Sequence, residues 1–413
     1  MPMPVSTWAE VDLDRFASNL AAVRKDLPPE CGILLVVKAD AYGHGAIEIA
    51  EAGAREGVAC LGVATLHEGI QLRQAACALP IVALSPLLRS EIDEALAHGL
   101  DPTVPDPAFG QALSEAASKA AHPVRFHVEV DTGMGRTGVR EDEAEEFILS
   151  LVALPGLRLG SIFTHFPDAD AEDISFAVEQ NRRFEALAAR LRARGVRVPR
   201  LHASNSAGTL NVPEASHEWV RVGLVAYGHL PPHARRHPPV VPALSFKSRL
   251  VQVREVPAGT PISYGRTFVT ERPSRIGVVA VGYGHGYSWL MSNRGSVLVC
   301  GKRAPIVGRV TMDLTMVDLT AIPEASVEDE VVLFGEQGTE RITLEEVARW
   351  SETLPYEVMC TIGKRVTRIY VAGGRPVKLV SLVGERTEWT RQAAEHFRLR
   401  ETAIGRASCR ERV

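Results

Sequence analysis

Several short stretches of this 413-residue chain place chemically capable side chains directly after apolar runs. Lys38 closes Ile33-Leu34-Leu35-Val36-Val37, and Arg136 follows the glycine-rich turn Asp131-Thr132-Gly133-Met134-Gly135. His165 ends one further run, Ser206 follows another, and Arg221, Gly223 and Leu224 end the run that starts at Trp219. A lysine leaving a buried strand emerges into a site rather than into bulk water, and its amine can bond a carbonyl carbon. A serine hydroxyl beside glycine backbone N–H groups meets an anion well. Together the set describes a phosphorylated aldehyde cofactor.

Such side chains need a scaffold that gathers many strand ends on one face. Consecutive branched aliphatics without polar alternation indicate strands buried on both sides, as in a parallel sheet. After the lysine strand come runs at 59–64, 81–84, 101–104, 126–130, 159–165, 200–204 and 219–224, each separated by a helix-length stretch. Counted with the first, they give the eight strands of a (β/α)8 barrel, whose carboxyl-end face holds its chemistry. Asp14 is expected to cap a helix carrying Phe16, Leu20 and Val23 on one face. No GxGxxG follows the first strand, so nicotinamide binding has no support.

Near residue 230 the texture changes. HLPPHARRHPPVVP is a proline-rich connector, and beyond it strands are expected at 244–256, 276–281, 295–299, 303–307 and 330–333, with one helix at 344–351. The fold class is therefore α/β plus all-β: a TIM barrel over residues 1–238, then a mainly β domain over 239–383. Residues 384–413 read as a tail whose last ten, IGRASCRERV, are taken as non-native and given no function.

Composition excludes several classes. The net charge is -4 and no basic stripe follows it, so nucleic acid is not an expected partner. No apolar run reaches the roughly 18 residues of a membrane span and no signal peptide is evident, which gives the expectation of a cytoplasmic protein without membrane contact. The 6 cysteines lack CxxC spacing and are expected to be reduced. His229, His233 and His237 share a helical spacing, but Pro231, Pro232, Pro238 and Pro239 rule the helix out, so a solvated connector and no metal site are expected.

The run Val36-Val37-Lys38-Ala39-Asp40-Ala41-Tyr42-Gly43-His44-Gly45 resembles the cofactor-anchoring segment of the alanine racemases. The stretches around Arg136, His165, Ser206 and Arg221 match that family in order and spacing, as do Ile262-Ser263-Tyr264-Gly265-Arg266, Val307-Gly308-Arg309-Val310-Thr311-Met312-Asp313 and Pro355-Tyr356-Glu357-Val358. The resemblance covers about residues 5 to 370. It implies pyridoxal 5'-phosphate as cofactor, held by Lys38 as a Schiff base, and interconversion of L- and D-alanine for peptidoglycan. Lys38 would be one base and Tyr264 the opposing one. Tyr42, Ser206, Gly223, Leu224 and Tyr356 would hold the phosphate. Arg221 would face the pyridine nitrogen with His165 behind it. Arg136 would bind the cofactor's ring oxygen or the substrate carboxylate, Met312 would make a backbone contact to substrate, and Glu129 and Asp313 would support these groups from behind. A homodimer with shared sites is implied, the tyrosine and methionine coming from the partner's β domain.

The chemistry needs these types. Inverting Cα requires removing a proton from one face and returning one to the other, so two bases must flank a stabilised carbanion. Lysine and tyrosine, with free pKa values near 10, need nearby positive charge or burial to serve at neutral pH. Two departures stand out: Glu129 replaces a lysine that many members carry carbamylated, and Gly284-His285-Gly286 has histidine where an acid is usual. Glu129 is expected to pair with Arg136. The competing readings are a broader amino-acid racemase, a decarboxylase on the same fold, and a cofactor carrier made of the barrel alone. Neither Cys300 nor Cys360 sits in a recognisable decarboxylase segment, and a carrier needs no second base.

Overall fold

Ile33, Leu34 and Leu35 are fully buried on the strand Gly32–Val36, and each contributes about 1.5–3 kcal/mol by leaving water. The computed structural model describes residues 5–119 and 123–386, and the sequence from 387 on, including the last ten residues read as non-native, lies outside them. The described residues divide into two compact units. One comprises residues 15–41 and 45–242; the other comprises the residues up to Asp14, Tyr42–His44 and those from Ala243 onward.

The first unit is the barrel. Gly32–Val36 pairs in parallel with Cys60–Val63, which pairs with Ile81–Ala83, which pairs with Asp101–Pro102. A parallel bridge from Thr103 to His127 carries the series on to Val124–Asp131, and Leu157–Phe163 and Leu201–His202 follow. Arg221 N–H donates to the Ser204 carbonyl at 2.9 Å, and Trp219–Val222 pairs back with Gly32–Val36, which closes the ring. The eight strands occur where the apolar runs predict them. Helices such as Ala46–Arg55, Pro107–Ala117 and Ser175–Ala193 separate them.

The second unit is mainly β. Leu244–Val256 is its spine, pairing antiparallel with Thr7–Asp12, Ser274–Val279 and Glu330–Gln337. Thr7–Asp12 also pairs in parallel with Thr367–Ala372, and Trp8 is buried with Ile369 and Leu379. The expected cut at residue 238 is therefore not a single one. The first strand of the chain is placed in the β unit because its alternate side chains have their apolar partners there. A Thr343–Glu346 capping box starts the expected helix, Leu344–Trp350.

Three expectations need correction. Asp14 lies inside the helix Leu13–Lys25 rather than at its cap, and its carboxylate accepts the Gly373 N–H. The β unit has a second helix, Pro355–Cys360, too short to show a period but opened by a proline where a missing N–H costs nothing. The connector is not solvated throughout: His229 is buried, while His233 and His237 are exposed.

Candidate active site

The lysine strand ends in an unusual turn. Ala39, Asp40, Ala41 and Tyr42 all have left-handed backbones, with φ of 52, 55, 52 and 54°. Such a conformation costs an L-residue about 1–2 kcal/mol, so consecutive ones persist only where the surroundings hold them. Here Ala39 N–H donates to the Glu68 carboxylate at 2.7 Å, Ala41 N–H to the Val37 carbonyl, and Ala46 N–H to the Asp40 carboxylate at 2.9 Å. The other Glu68 oxygen takes the N–H groups of Ala64 and Thr65 at the start of the helix Leu66–Gln74. The sequence reading missed Glu68; the Thr65-x-x-Glu68 box signals a cap, but not the second oxygen's reach to Ala39.

Around the barrel mouth the polar strand ends meet. Arg221, 3% exposed, spends its Nη1 hydrogens on His202 Nδ1 at 2.9 Å and the His202 carbonyl at 2.8 Å. Its Nη2 faces the carbonyls of Thr164 and Ala203 and His165 Nδ1 at 3.2 Å. The remaining donor, Nε–H, has no acceptor among the described residues. Burial brings the guanidinium down to about 10, with Glu129 raising it and Arg136 lowering it, so it stays a cation at neutral pH. His165 is held well below its ordinary value by burial first and then by the charges of Arg221, Arg136 and Lys38. Lys38, Arg136, His165, Arg221 and Glu129 thus form one electrostatic neighbourhood. His165 also lies between two donors, Arg221 Nη2 and Asn205 Nδ2 at 3.4 Å, of which a neutral ring can accept only one.

After strands seven and eight, Ser206 Oγ accepts the N–H of Gly223 at 3.1 Å and of Val225 at 3.4 Å, and the Leu224 N–H between them has no partner among the described residues. This concavity of N–H groups and a hydroxyl suits an anion. Glu129, 4% exposed, accepts from Thr137 Oγ1 at 2.6 Å. It makes no ion pair with Arg136, which is exposed, so the expected pairing is corrected: the neighbouring Thr137 hydroxyl satisfies the carboxylate instead.

The β unit carries the other candidates. The Tyr42 and Tyr356 rings lie 6.3 Å apart, and burial together with Tyr356 raises the Tyr42 phenol. Gly43 beside them admits no side chain, since an added Cβ would stand 2.2 Å from the Met359 carbonyl oxygen. Tyr264 is 72% exposed on a loop where Ser263 Oγ donates to the Arg309 carbonyl at 2.7 Å. Met312 is 52% exposed, and its carbonyl accepts the Gly284 N–H at 2.9 Å. Asp313 is paired with Arg365 at 2.8 Å. His285 turns its Nδ1 to the Gly282 N–H at 3.3 Å, and partial burial, then Arg365, lower its pKa while Asp313 opposes them. A neutral ring is therefore the form expected at this position near pH 7.

Residues 11–231 match the model of the alanine racemase N-terminal domain, and residues 243–370 match that of the C-terminal domain. The chain belongs to the alanine racemase family. It is thereby an enzyme, an isomerase. It is 40% identical over 379 residues to the alanine racemase of Desulfosudis oleivorans, covering 89% of this chain and 97% of that one. Among solved structures it is similar to the alanine racemase of Clostridium difficile 630, with a TM-score of 0.89 at 33% identity over 92% of this chain and 99% of that one. The alanine racemase of Bartonella henselae, whose structure has covalently bound pyridoxal phosphate, aligns with a TM-score of 0.80 at 26% identity over 89% and 100% of the two chains. No described helix is long and apolar enough to cross a membrane.

Proposed function

We propose that the protein interconverts L-alanine and D-alanine with pyridoxal 5'-phosphate, as a cytoplasmic homodimer that supplies D-alanine for peptidoglycan. The observation that carries the reading is the barrel mouth itself: a lysine at the end of strand one, beside His165 and two arginines, on the face that also bears the Ser206–Gly223–Val225 anion cradle. Those groups fit a phosphorylated pyridine aldehyde. The bound cofactor supplies the electron sink that makes the substrate's Cα proton removable.

The chain's own residues do the rest. Lys38 Nζ holds the cofactor covalently and moves a proton on one face of Cα, and Tyr264 Oη moves one on the opposite face. Ser206, Gly223 and Leu224 hold the phosphate, with hydroxyls from Tyr42 and Tyr356. Arg221 would offer its Nε–H to the ring nitrogen; a guanidinium has no lone pair to give and keeps its charge, which would disfavour a protonated ring. His165 stands behind it. Arg136 binds the ring oxygen or the substrate carboxylate, and Met312 offers its N–H to substrate. Glu129 supplies a negative charge that favours the Arg221 cation, and Asp313 steadies the methionine loop through Arg365.

The exposure of Tyr264 and Met312 supports a shared site, since a base works only where water is excluded and a partner's surface would provide that cover. Residues 1–238 are proposed as the cofactor domain and 239–383 as the domain that supplies the second base, with the reservation of Thr7–Asp12 to the latter. Chiral chromatography of purified protein incubated with several L-amino acids, with and without pyridoxal phosphate, tests the reading. Cofactor-dependent D-alanine is expected. Absence of D-alanine with the cofactor present would overturn it.

A further inference from the structure

The barrel interior contains buried titratable groups for which the proposed reaction has no use. His127, Ser161 and His202 are all fully buried, and they come from the fifth, sixth and seventh barrel strands. His127 Nδ1 lies 2.6 Å from Ser161 Oγ, and Ser161 Oγ lies 2.8 Å from His202 Nε2. On the eighth strand, Arg221 Nη1 lies 2.9 Å from His202 Nδ1. On the fourth, the Asp101 carboxylate faces His127 Nε2 at 3.8 Å, too long for a direct hydrogen bond, and that nitrogen is buried with no hydrogen-bond partner among the described residues. One residue from each of five successive strands thus forms a belt around half of the barrel.

The belt has a direction, and one end fixes it. A guanidinium only donates, so His202 Nδ1 must be the acceptor and its proton must sit on Nε2. His202 Nε2–H then donates to Ser161 Oγ. The serine hydroxyl has its hydrogen left to give, and the atom in line is His127 Nδ1, which must accept. His127 therefore carries its proton on Nε2, pointing at Asp101. The reverse order would set an imidazole N–H against the guanidinium N–H. Packing holds the rings in place: His202 stacks on Phe163 at 4.8 Å between centroids with planes 10° apart, and the Arg221 guanidinium lies 5.4 Å from the same phenyl ring. Burial and the Arg221 charge both keep His202 neutral, as this order requires.

We propose that His127, Ser161 and His202 are positioning residues: a one-way hydrogen-bond belt, with the Asp101 carboxylate facing its far end, that orients Arg221 and steadies its cation from inside the barrel. The proposal rests on the reading of Arg221 as the group at the cofactor's ring nitrogen. Aligned donors polarise one another, so the carboxylate at the far end increases the electron density that His202 Nδ1 presents to the guanidinium. Groups that hold a ligand from behind cost about 10- to 100-fold when removed at metal sites, and the low end of that range is expected here.

The test is nitrogen NMR of histidine-labelled holoenzyme, with the His127 and His202 signals assigned from single His→Asn variants, read beside steady-state kinetics of Ser161→Ala and Ser161→Thr. Both rings should be neutral with the proton on Nε2 in the wild type. In Ser161→Ala, His127 should become a mixture of tautomers, and kcat should fall about tenfold with KM changed less than about twofold. Ser161→Thr, which keeps the hydroxyl, should restore both readouts. A wild-type His202 protonated on Nδ1, or a Ser161→Ala enzyme with unchanged kcat, would overturn the proposal. Should Ser161→Ala not fold, the wild-type tautomers alone decide the order of the belt. The expected tautomers in an enzyme that racemises nothing would support that order while overturning the functional reading.

Discussion

The two units hold their candidate residues in opposite ways. In the barrel they are buried and engaged: Arg221 has both terminal nitrogens committed, Glu129 is met by Thr137, and Ser206 gathers two backbone N–H groups. In the β unit, Tyr264 and Met312 stand on surface loops whose backbones are fixed while the side chains face outward. The barrel half is pre-organised within one chain. In the β half the candidate side chains are exposed on the single chain, which is the physical basis for proposing that a second copy packs against them.

Removing Lys38 is the most severe way to probe the barrel half. Lys38→Ala should lower racemisation at least about 10^4-fold, because a group that both bonds the cofactor and moves a proton is lost. Steady-state assay at saturating cofactor measures it.

Tyr264 probes the other half and its ownership. Tyr264→Phe should slow deuterium uptake in heavy water into one enantiomer of alanine by about 10^2- to 10^4-fold, with far less effect on uptake into the other. Mixing inactive Lys38→Ala and Tyr264→Phe subunits should restore activity, since a mixed dimer has one site with both defects and one with neither. No recovery in subunits that do exchange would place the tyrosine in its own chain's site.

Glu68 tests how the left-handed turn is held. Glu68→Ala strips acceptors from Ala39, Ala64 and Thr65 and should cost about 1–3 kcal/mol of stability, seen as a lower denaturant midpoint, together with weaker cofactor retention. Unchanged stability would mean that the strain at 39–42 is carried elsewhere.

Acid should separate the units as well. Burial lowers the folded pKa of three barrel histidines, His165, His202 and His217, below the ordinary 6.5, as it does that of the half-buried His285 in the β unit. As pH falls through 6.5 the unfolded rings take up protons that the folded ones refuse. The stability these histidines contribute is whole above that range and drains below it. Hydrogen exchange at pH 5.5 against pH 7.5 should show the barrel strands losing more protection than Leu244–Val256, and equal losses would contradict the burial argument.

The smallest expected effect is at Glu129. Glu129→Gln keeps an acceptor for Thr137 but removes a charge near Arg221, so a loss of only a few-fold in kcat/KM is expected. Activity should be indifferent to added bicarbonate, because the carboxylate belongs to the side chain. Degassing that abolishes activity, reversed by bicarbonate, would sink this account.

The barrel was legible because most of its strands carry apolar runs, and Lys38, His165 and Arg221 were legible as polar residues at or near their ends. What sequence hid has physical reasons. The turn at Ala39–Tyr42 uses alanine and aspartate where a left-handed backbone would advertise itself by glycine. His127, Ser161 and His202 look like isolated polar residues in apolar strands, and their partners lie 34 and 41 positions away. The Glu129–Arg136 pairing failed because Thr137, eight residues along the chain, satisfies the carboxylate first.

The central claim is that Lys38 holds the cofactor. Borohydride reduction of the purified enzyme loaded with pyridoxal phosphate, followed by peptide mapping, tests it directly. The account predicts a stable cofactor adduct on the peptide containing Lys38 and none in Lys38→Ala. An adduct on any other lysine, or none in the wild type, would contradict it.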